Sequence, residues 1–394
     1  MTRSRFAFFL ASSLLVLPIL AGSLLGASVD DGAAAEEGSL YKYLSVFTEV
    51  LGLVDQTYVE ETRTDALLAA ALDGATDALD PLAVYVPESG LSSYLEARSV
   101  GSGHSGLHVV RERGMLYALA VDDGSPAEDA GIQEGDLLAE IDGRSTRVLP
   151  MWRIQRILAG PPGTELDLKL VRFAENLDAS LTLQAFEVPE PNLEIDDGVA
   201  VLTLHGIDSA TPGRVGSLLE QATGTDRLVL DIRGLAGGDS EAAYRLAGLF
   251  AGGELGRLDR QGEPVTTFDA EREPLWSGRL VVLTDGATLG AAEVLAAVLQ
   301  QKTGAELVGE ATFGHASRST MVELSSGAVV FLADAFYTGP DLAPLDEPLT
   351  PDVRVATARR SFEADDEAEE EEGSDAVLEK GLELLAEPAE KAAA

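Results

Sequence analysis

The chain contains no cysteine, which excludes disulfides and thiolate-held metals together. Histidine is almost as scarce: His104, His108, His205 and His315 are the whole supply. None of them is spaced as a metal-binding pair such as H-E-x-x-H, so neither a metal nor a cofactor is expected. Positive charge is the third shortage. The 28 lysines and arginines face 67 aspartates and glutamates, a formal net charge of −39. A surface so negative repels phosphate backbones and anionic lipids, so nucleic acid is not an expected partner.

What is present is a long, apolar-rich chain. Its 394 residues are 45% hydrophobic, enough to bury the cores of two or three domains. It opens with "MTRSR", after which Phe6 to Val29 carries no charge. A basic start before an apolar run is the pattern of an export signal, and this run is also long enough to span a bilayer. Residues 1–29 are therefore read as a signal peptide or membrane anchor, the only part expected to meet a membrane. The body is expected in the periplasm or cell envelope, soluble after cleavage or anchored by residues 6–29. At the other end, "FEADDEAEEEEGSD" (Phe362 to Asp375) is an acidic block. Residues 361–394 are read as an acidic, disordered tail, although "AVLEKGLELLAEPAEKAAA" after the block is compatible with a short helix.

Between these ends the hydrophobic pattern changes twice. Residues 30–39 read as a linker. From Leu40, the apolar residues Leu44, Phe47, Leu51, Val54 and Tyr58 fall at steps of three and four, one face of a helix. A second helix fits "TDALLAAALDGATDAL", closed by Pro81, so residues 40–100 form a helical region. Residues 101–186 turn to short strands with alternating patterns, such as "DLKLVRF" and "SLTLQAF". Residues 187–360 alternate apolar strands with helices, which predicts an α/β core with a mainly parallel sheet. Sites in such sheets gather at the carboxyl ends of strands. Three loops therefore stand out: "RGLAGGD", "DGATLGAAE" and "EATFGHASRS".

The middle region resembles a PDZ domain. "SGLHVV" (Ser105 to Val110) is similar to the family's carboxylate-binding loop and the strand after it. "GSPAEDAGIQEGDLLAEIDG" (Gly124 to Gly143) and "LAGPPGTELDLKLVR" (Leu158 to Arg172) match its later elements. The resemblance implies peptide binding around Ser105, Gly106, Leu107 and His108. A loop of free amides would hold a terminal carboxylate there, beside an open strand edge.

Residues 40–356 as a whole resemble the carboxyl-terminal processing (tail-specific) proteases of the S41 serine peptidases. "LDGATDALDPLAVYVPESGLSSYLE" (Leu72 to Glu96), "LVLDIRGLAGGDSEAAYRLAGLF" (Leu228 to Phe250), "LVGEATFG" (Leu307 to Gly314) and "PLTPDV" (Pro348 to Val353) carry the match, in the family's order. The resemblance implies a multi-domain α/β fold and a serine–lysine dyad. In that family the serine lies three residues before a glutamate, here Glu293. The lysine follows T-F-G directly, and a glutamine stands four residues later.

Carried onto this chain, the nucleophile position is Gly290, the lysine position His315 and the glutamine position Ser319; all three are substituted. Glycine has no hydroxyl to attack a carbonyl, whereas imidazole is a base near neutral pH without tuning. Thr288 and Ser317 are the two nearby hydroxyls that could act as displaced nucleophiles. The resemblance builds the oxyanion hole from the amide of Gly237 or Gly238 and that of Ala291, donors that do not depend on side-chain identity. The expected function is that of an inactive pseudoprotease binding peptides or protein C-termini, alone or in homo- or hetero-oligomers with active relatives. The alternative is a working serine endopeptidase with a displaced nucleophile.

Overall fold

In the computed structural model, which describes residues 31–99, 102–222, 224–355 and 375–386, the chain is a multi-domain α/β protein. The signal or anchor assigned to residues 1–29 and the acidic block of residues 362–374 lie outside the described residues. Among those described, no helix is long and apolar enough to cross a membrane.

Contacts divide the chain between Ala71 and Leu72. The first unit contains helix α1 (Asp31–Thr57). This helix replaces the linker expected at residues 30–39, where alanines and glutamates favour helix more than the two glycines oppose it. Helix α2 (Thr64–Leu79) runs across the division. After Pro81 the chain does not stay helical. Val84–Val86 form strand β1, a short β-branched and aromatic run suited to a pleated, buried place. Helix α3 (Glu88–Ala97) follows.

The next strands are β2 (Leu107–Glu112), β3 (Met115–Val121), β4 (Leu137–Ile141), β5 (Glu165–Arg172) and β6 (Glu175–Thr182), with helix α4 (Met151–Leu158) between β4 and β5. They pair antiparallel in the order β2-β3-β4-β5-β6. Leu166, Leu168 and Leu170 alternate inward along β5, as the period-two pattern requires. The same core takes in Val84, Val86 and Tyr94 from the preceding segment and Val329 from further on.

The α/β core contains β7 (Asn192–Asp196), β8 (Val199–Thr203), α5 (Thr211–Gln221), β9 (Arg227–Asp231), α6 (Ser240–Ala247), β10 (Glu254–Arg260), β11 (Glu263–Asp269), β12 (Arg279–Thr284), α7 (Ala291–Thr303), β13 (Glu306–Gly309), β14 (Ser317–Glu323), β15 (Val329–Tyr337) and β16 (Val353–Arg354). Its main sheet has the order β7-β8-β9-β12-β13-β16, parallel except for the β7–β8 pair. A second sheet has the order β1-β15-β10-β11, with β14 also on β15.

Each parallel strand of the main sheet adds on the same side of the last. Right-handed crossovers then put α5, α6 and α7 on one face, where Leu228, Leu230, Val282 and Leu307 meet them. The opposite face is apolar too: Val199, Val229, Val281, Leu283 and Val308. It is covered by helix α8 (Ala376–Ala386), through Val377 and Leu385. Residues 376–386 are thus a docked helix, which corrects the reading of residues 361–394 as a disordered tail. A bare apolar sheet face supplies the driving force that the acidic composition hides.

Candidate active site

The turn between β12 and α7 is braced before it reaches its functional position. Asp285 Oδ1 accepts the amides of Ala287 (3.0 Å) and Thr288 (2.8 Å) and the Thr288 hydroxyl (2.9 Å). The Thr288 hydroxyl also accepts the Asp285 amide at 3.0 Å. Thr288 is fully buried, so its hydroxyl is a turn-bracing group. Thr288 is therefore not a displaced nucleophile.

Gly290 follows with φ +65° and ψ −109°. A residue at positive φ in a tight strand-to-helix turn is the geometry of a nucleophile elbow. A Cβ built on Gly290 would meet nothing nearer than Gly237 Cα at 3.6 Å. The position has room for a side chain and has none.

Two loops close on this elbow. Leu289 donates to Leu235 O (2.9 Å), and Gly237 donates back to Leu289 O (3.2 Å). The Gly237 amide is thus engaged, which leaves the amides of Gly238 and Ala291 among the donors that the resemblance implies. Among the described residues neither of those amides has an acceptor. A Cβ on Gly238 would lie 3.3 Å from Ala291 Cβ and 2.8 Å from Ile207 O, so the two donors are neighbours and only glycine fits.

The second loop, Thr312 to His315, is tied down by Glu293 on α7. Oε1 of Glu293 accepts the Thr312 hydroxyl at 2.6 Å and the Gly314 amide; Oε2 accepts the amides of Gly290 and His315, both at 3.0 Å. Glu293 is 1% exposed. Burial pushes its carboxyl above the usual range, and these donors only partly offset it.

The His315 ring points to a partner that sequence spacing did not suggest. Its Nε2 lies 3.1 Å from Oδ1 of Asp80, with the two side chains 11% and 7% exposed. The contact falls short of the alignment of a directed hydrogen bond. Burial opposes the charge on Asp80, but His315 and the backbone amide of Leu82 outweigh it and hold the carboxyl below the usual range. The ring also meets Phe336 edge-on, with centroids 5.4 Å apart. His315 lines a cavity of about 390 Å³ with Pro81, Val110, Glu112, Phe313 and Asp346.

Ser317 opens β14 and is half-buried opposite Phe336. Its amide donates to His315 O at 3.1 Å, but among the described residues no hydrogen bond joins its hydroxyl to the imidazole. Ser319 is exposed, opposite Ala333. Asp231 and Arg233 brace the neighbouring loop: the Arg233 guanidinium forks between Asp231 (2.6 Å) and Asp375 at the start of α8 (2.7 Å).

In the β2 loop, the amide of Ser105 donates to Leu158 O (3.0 Å) and that of Leu107 to the Ser105 hydroxyl (3.2 Å). Of these three loop amides, only that of Gly106 has no acceptor among the described residues, so the loop is less open than a ready anion nest. His108 Nε2 lies 2.8 Å from Asp122 Oδ1. Val110 and Leu119 from this domain are buried against Leu289 of the elbow.

The model for peptidase family S41 matches residues 198–355, and a PDZ domain model matches residues 117–172. The carboxy-terminal processing protease CtpA of Bacillus subtilis is 26% identical over 295 residues, spanning 73% of this chain and 63% of that protein, less than two thirds of its length. The carboxy-terminal-processing protease of Bartonella bacilliformis is 26% identical over 356 residues, 86% of this chain and 82% of that protein. Among solved structures, the photosystem II D1 C-terminal processing protease superposes with a TM-score of 0.63 at 22% identity, covering 79% of this chain and 92% of that one.

Proposed function

We propose, from the premise that this chain belongs to peptidase family S41 and carries a PDZ domain, that it binds peptides or protein C-termini without cutting them. It is then a pseudoprotease acting as adaptor or regulator. One observation carries this reading: the elbow at Gly290 keeps its turn, its strained φ of +65° and its neighbouring amides, but has no hydroxyl. Acyl transfer needs a nucleophile within bonding reach of the carbonyl. Thr288 is committed to Asp285, and among the described residues no hydrogen bond joins the Ser317 hydroxyl to the His315 imidazole.

The backbone donors of Gly238 and Ala291 can still polarise a peptide carbonyl, so binding survives where cleavage does not. The purified chain should leave an unstructured substrate with an apolar C-terminus intact while binding it. Cleavage that disappears in Ser317→Ala would overturn the reading. Affinity for free-carboxylate peptides that drops on amidation would support recognition of C-termini; equal affinity would count against it.

We further propose that the protein works outside the cytoplasm, from the basic and then apolar pattern of residues 1–29. Alkaline phosphatase fused after residue 39 should be active in a bacterial host. An inactive fusion would remove the export reading.

A further inference from the structure

Loss of both members of a serine–lysine dyad would leave a site with no catalytic logic, but the His315 contacts describe something else. We infer that Asp80 is the positioning residue of a histidine base. The site is then a Ser–His–Asp arrangement lacking only its hydroxyl, and not a dyad lacking both partners. This inference rests on the reading that Gly290 alone makes the chain inert.

The two side chains meet at 3.1 Å, each about nine-tenths buried. Asp80 is fixed by the Leu82 amide at 2.7 Å and His315 by its own amide on Glu293 at 3.0 Å. With Nε2 against the carboxylate, Nδ1 is the ring nitrogen left to act as the base. An Asp–imidazole pair of this kind is recognised by geometry and role, not by chain order. The remaining parts are on hand: room for a side chain at Gly290 and the free amides of Gly238 and Ala291.

A serine at position 290 would complete the chemistry. Its Oγ would bond to the carbonyl carbon, its proton passing to the imidazole and the carbonyl electron pair to an oxyanion held by the two amides. On collapse the scissile C–N bond would break, and the imidazole proton would leave with the amine. Water would then repeat the sequence to free the acid and the serine.

The test uses the full chain and a fluorophosphonate probe, from which a serine displaces fluoride. Wild type should be unlabelled and Gly290→Ser labelled. Adding Asp80→Asn should cut the labelling rate on the order of 10³–10⁴-fold, and Asp80→Glu should restore part of it. Gly290→Ser with His315→Ala should lose the labelling. Labelling of Gly290→Ser that Asp80→Asn does not change would overturn the inference. So would a folded Gly290→Ser, by circular dichroism and urea midpoint, that takes no label.

Labelling of the wild type would instead sink the claim of inertness and leave Asp80 untouched. Should Gly290→Ser fail to fold, the wild-type background decides. The His315 ring nitrogens, followed by NMR, should show one dominant tautomer in wild type and lose that preference in Asp80→Asn, where Glu112, Asp346 and Glu293 are unchanged. A tautomer preference that Asp80→Asn leaves unchanged would end the proposal.

Discussion

A single oxygen of Glu293, Oε2, accepts the amide of Gly290 at 3.0 Å while also holding that of His315 at 3.0 Å. The helix that begins at the elbow thereby carries the clamp that sets the opposite loop. Glutamine at 293 would offer one oxygen and turn an NH₂ toward two donors. Leaving a buried donor unpaired costs about 1–3 kcal/mol. Glu293→Gln should therefore lower the stability of the core by at least about 2 kcal/mol at neutral pH. The urea midpoint measures this, and an unchanged midpoint would mean that the clamp is not structural.

Two glycines beside each other in the site should respond differently to the same added methyl group. At Gly290 the new Cβ has space, and the cost is mainly that of an L-residue at φ +65° and ψ −109°, outside the left-handed well and about 1–3 kcal/mol. At Gly238 the φ of +109° is joined by backbone contact, with Ile207 O 2.8 Å from the Cβ. Gly290→Ala should lose about 1–3 kcal/mol from backbone strain alone, and Gly238→Ala, which adds the backbone contact to its strain, about 1–3 kcal/mol more. Equal losses from the two variants would show that the loop carrying Gly238 relaxes freely.

Most of this site was legible because its landmarks are short and local. Glu293 and "GEATFG" register the elbow and the facing loop, and backbone amides follow from them. Asp80 was not legible. It reaches His315 only through the tertiary packing of the segment before the PDZ domain, and an aspartate before a proline reads as an ordinary turn. The engagement of the Gly237 amide was hidden as well, since it depends on which way a loop carbonyl points. Helix α8 was masked by its acidic neighbours. The clue lay elsewhere, in Val229, Val281 and Leu283: strands apolar on both faces need covering on both.

Asp80 also sets an acid limit on stability. Burial works against its ionised form, yet the contacts of His315 and the Leu82 amide hold its folded pKa below the unfolded value. A group depressed in this way contributes fully above its unfolded pKa, about 3.9. That contribution is lost as pH falls through the lower folded value. The gap in Tm between wild type and Asp80→Asn should be full at pH ~5 and should shrink between pH ~4 and ~2. A gap that widens toward pH 2 would contradict the depressed pKa.

The docking of α8 turns on Gly381, where a Cβ would stand 3.1 Å from Leu283 Cδ2 and 3.3 Å from Val281 Cγ1. A methyl group here presses on side-chain ends that can give, and alanine gains about 1 kcal/mol over glycine in helix propensity. Gly381→Ala should therefore be close to neutral. Leucine cannot be absorbed in the same way, because its extra carbons would have to enter a packed sheet face, at a cost of about 1–3 kcal/mol or more. Gly381→Leu should release α8, baring Val229, Val281, Leu283 and Val308 and freeing Arg233 from Asp375. Amides of residues 376–386 should then exchange with solvent much faster, and an apolar dye should bind the core. Unaltered exchange in Gly381→Leu would mean that the helix is held by its ends, at Arg233 and Arg279, and not by this close packing.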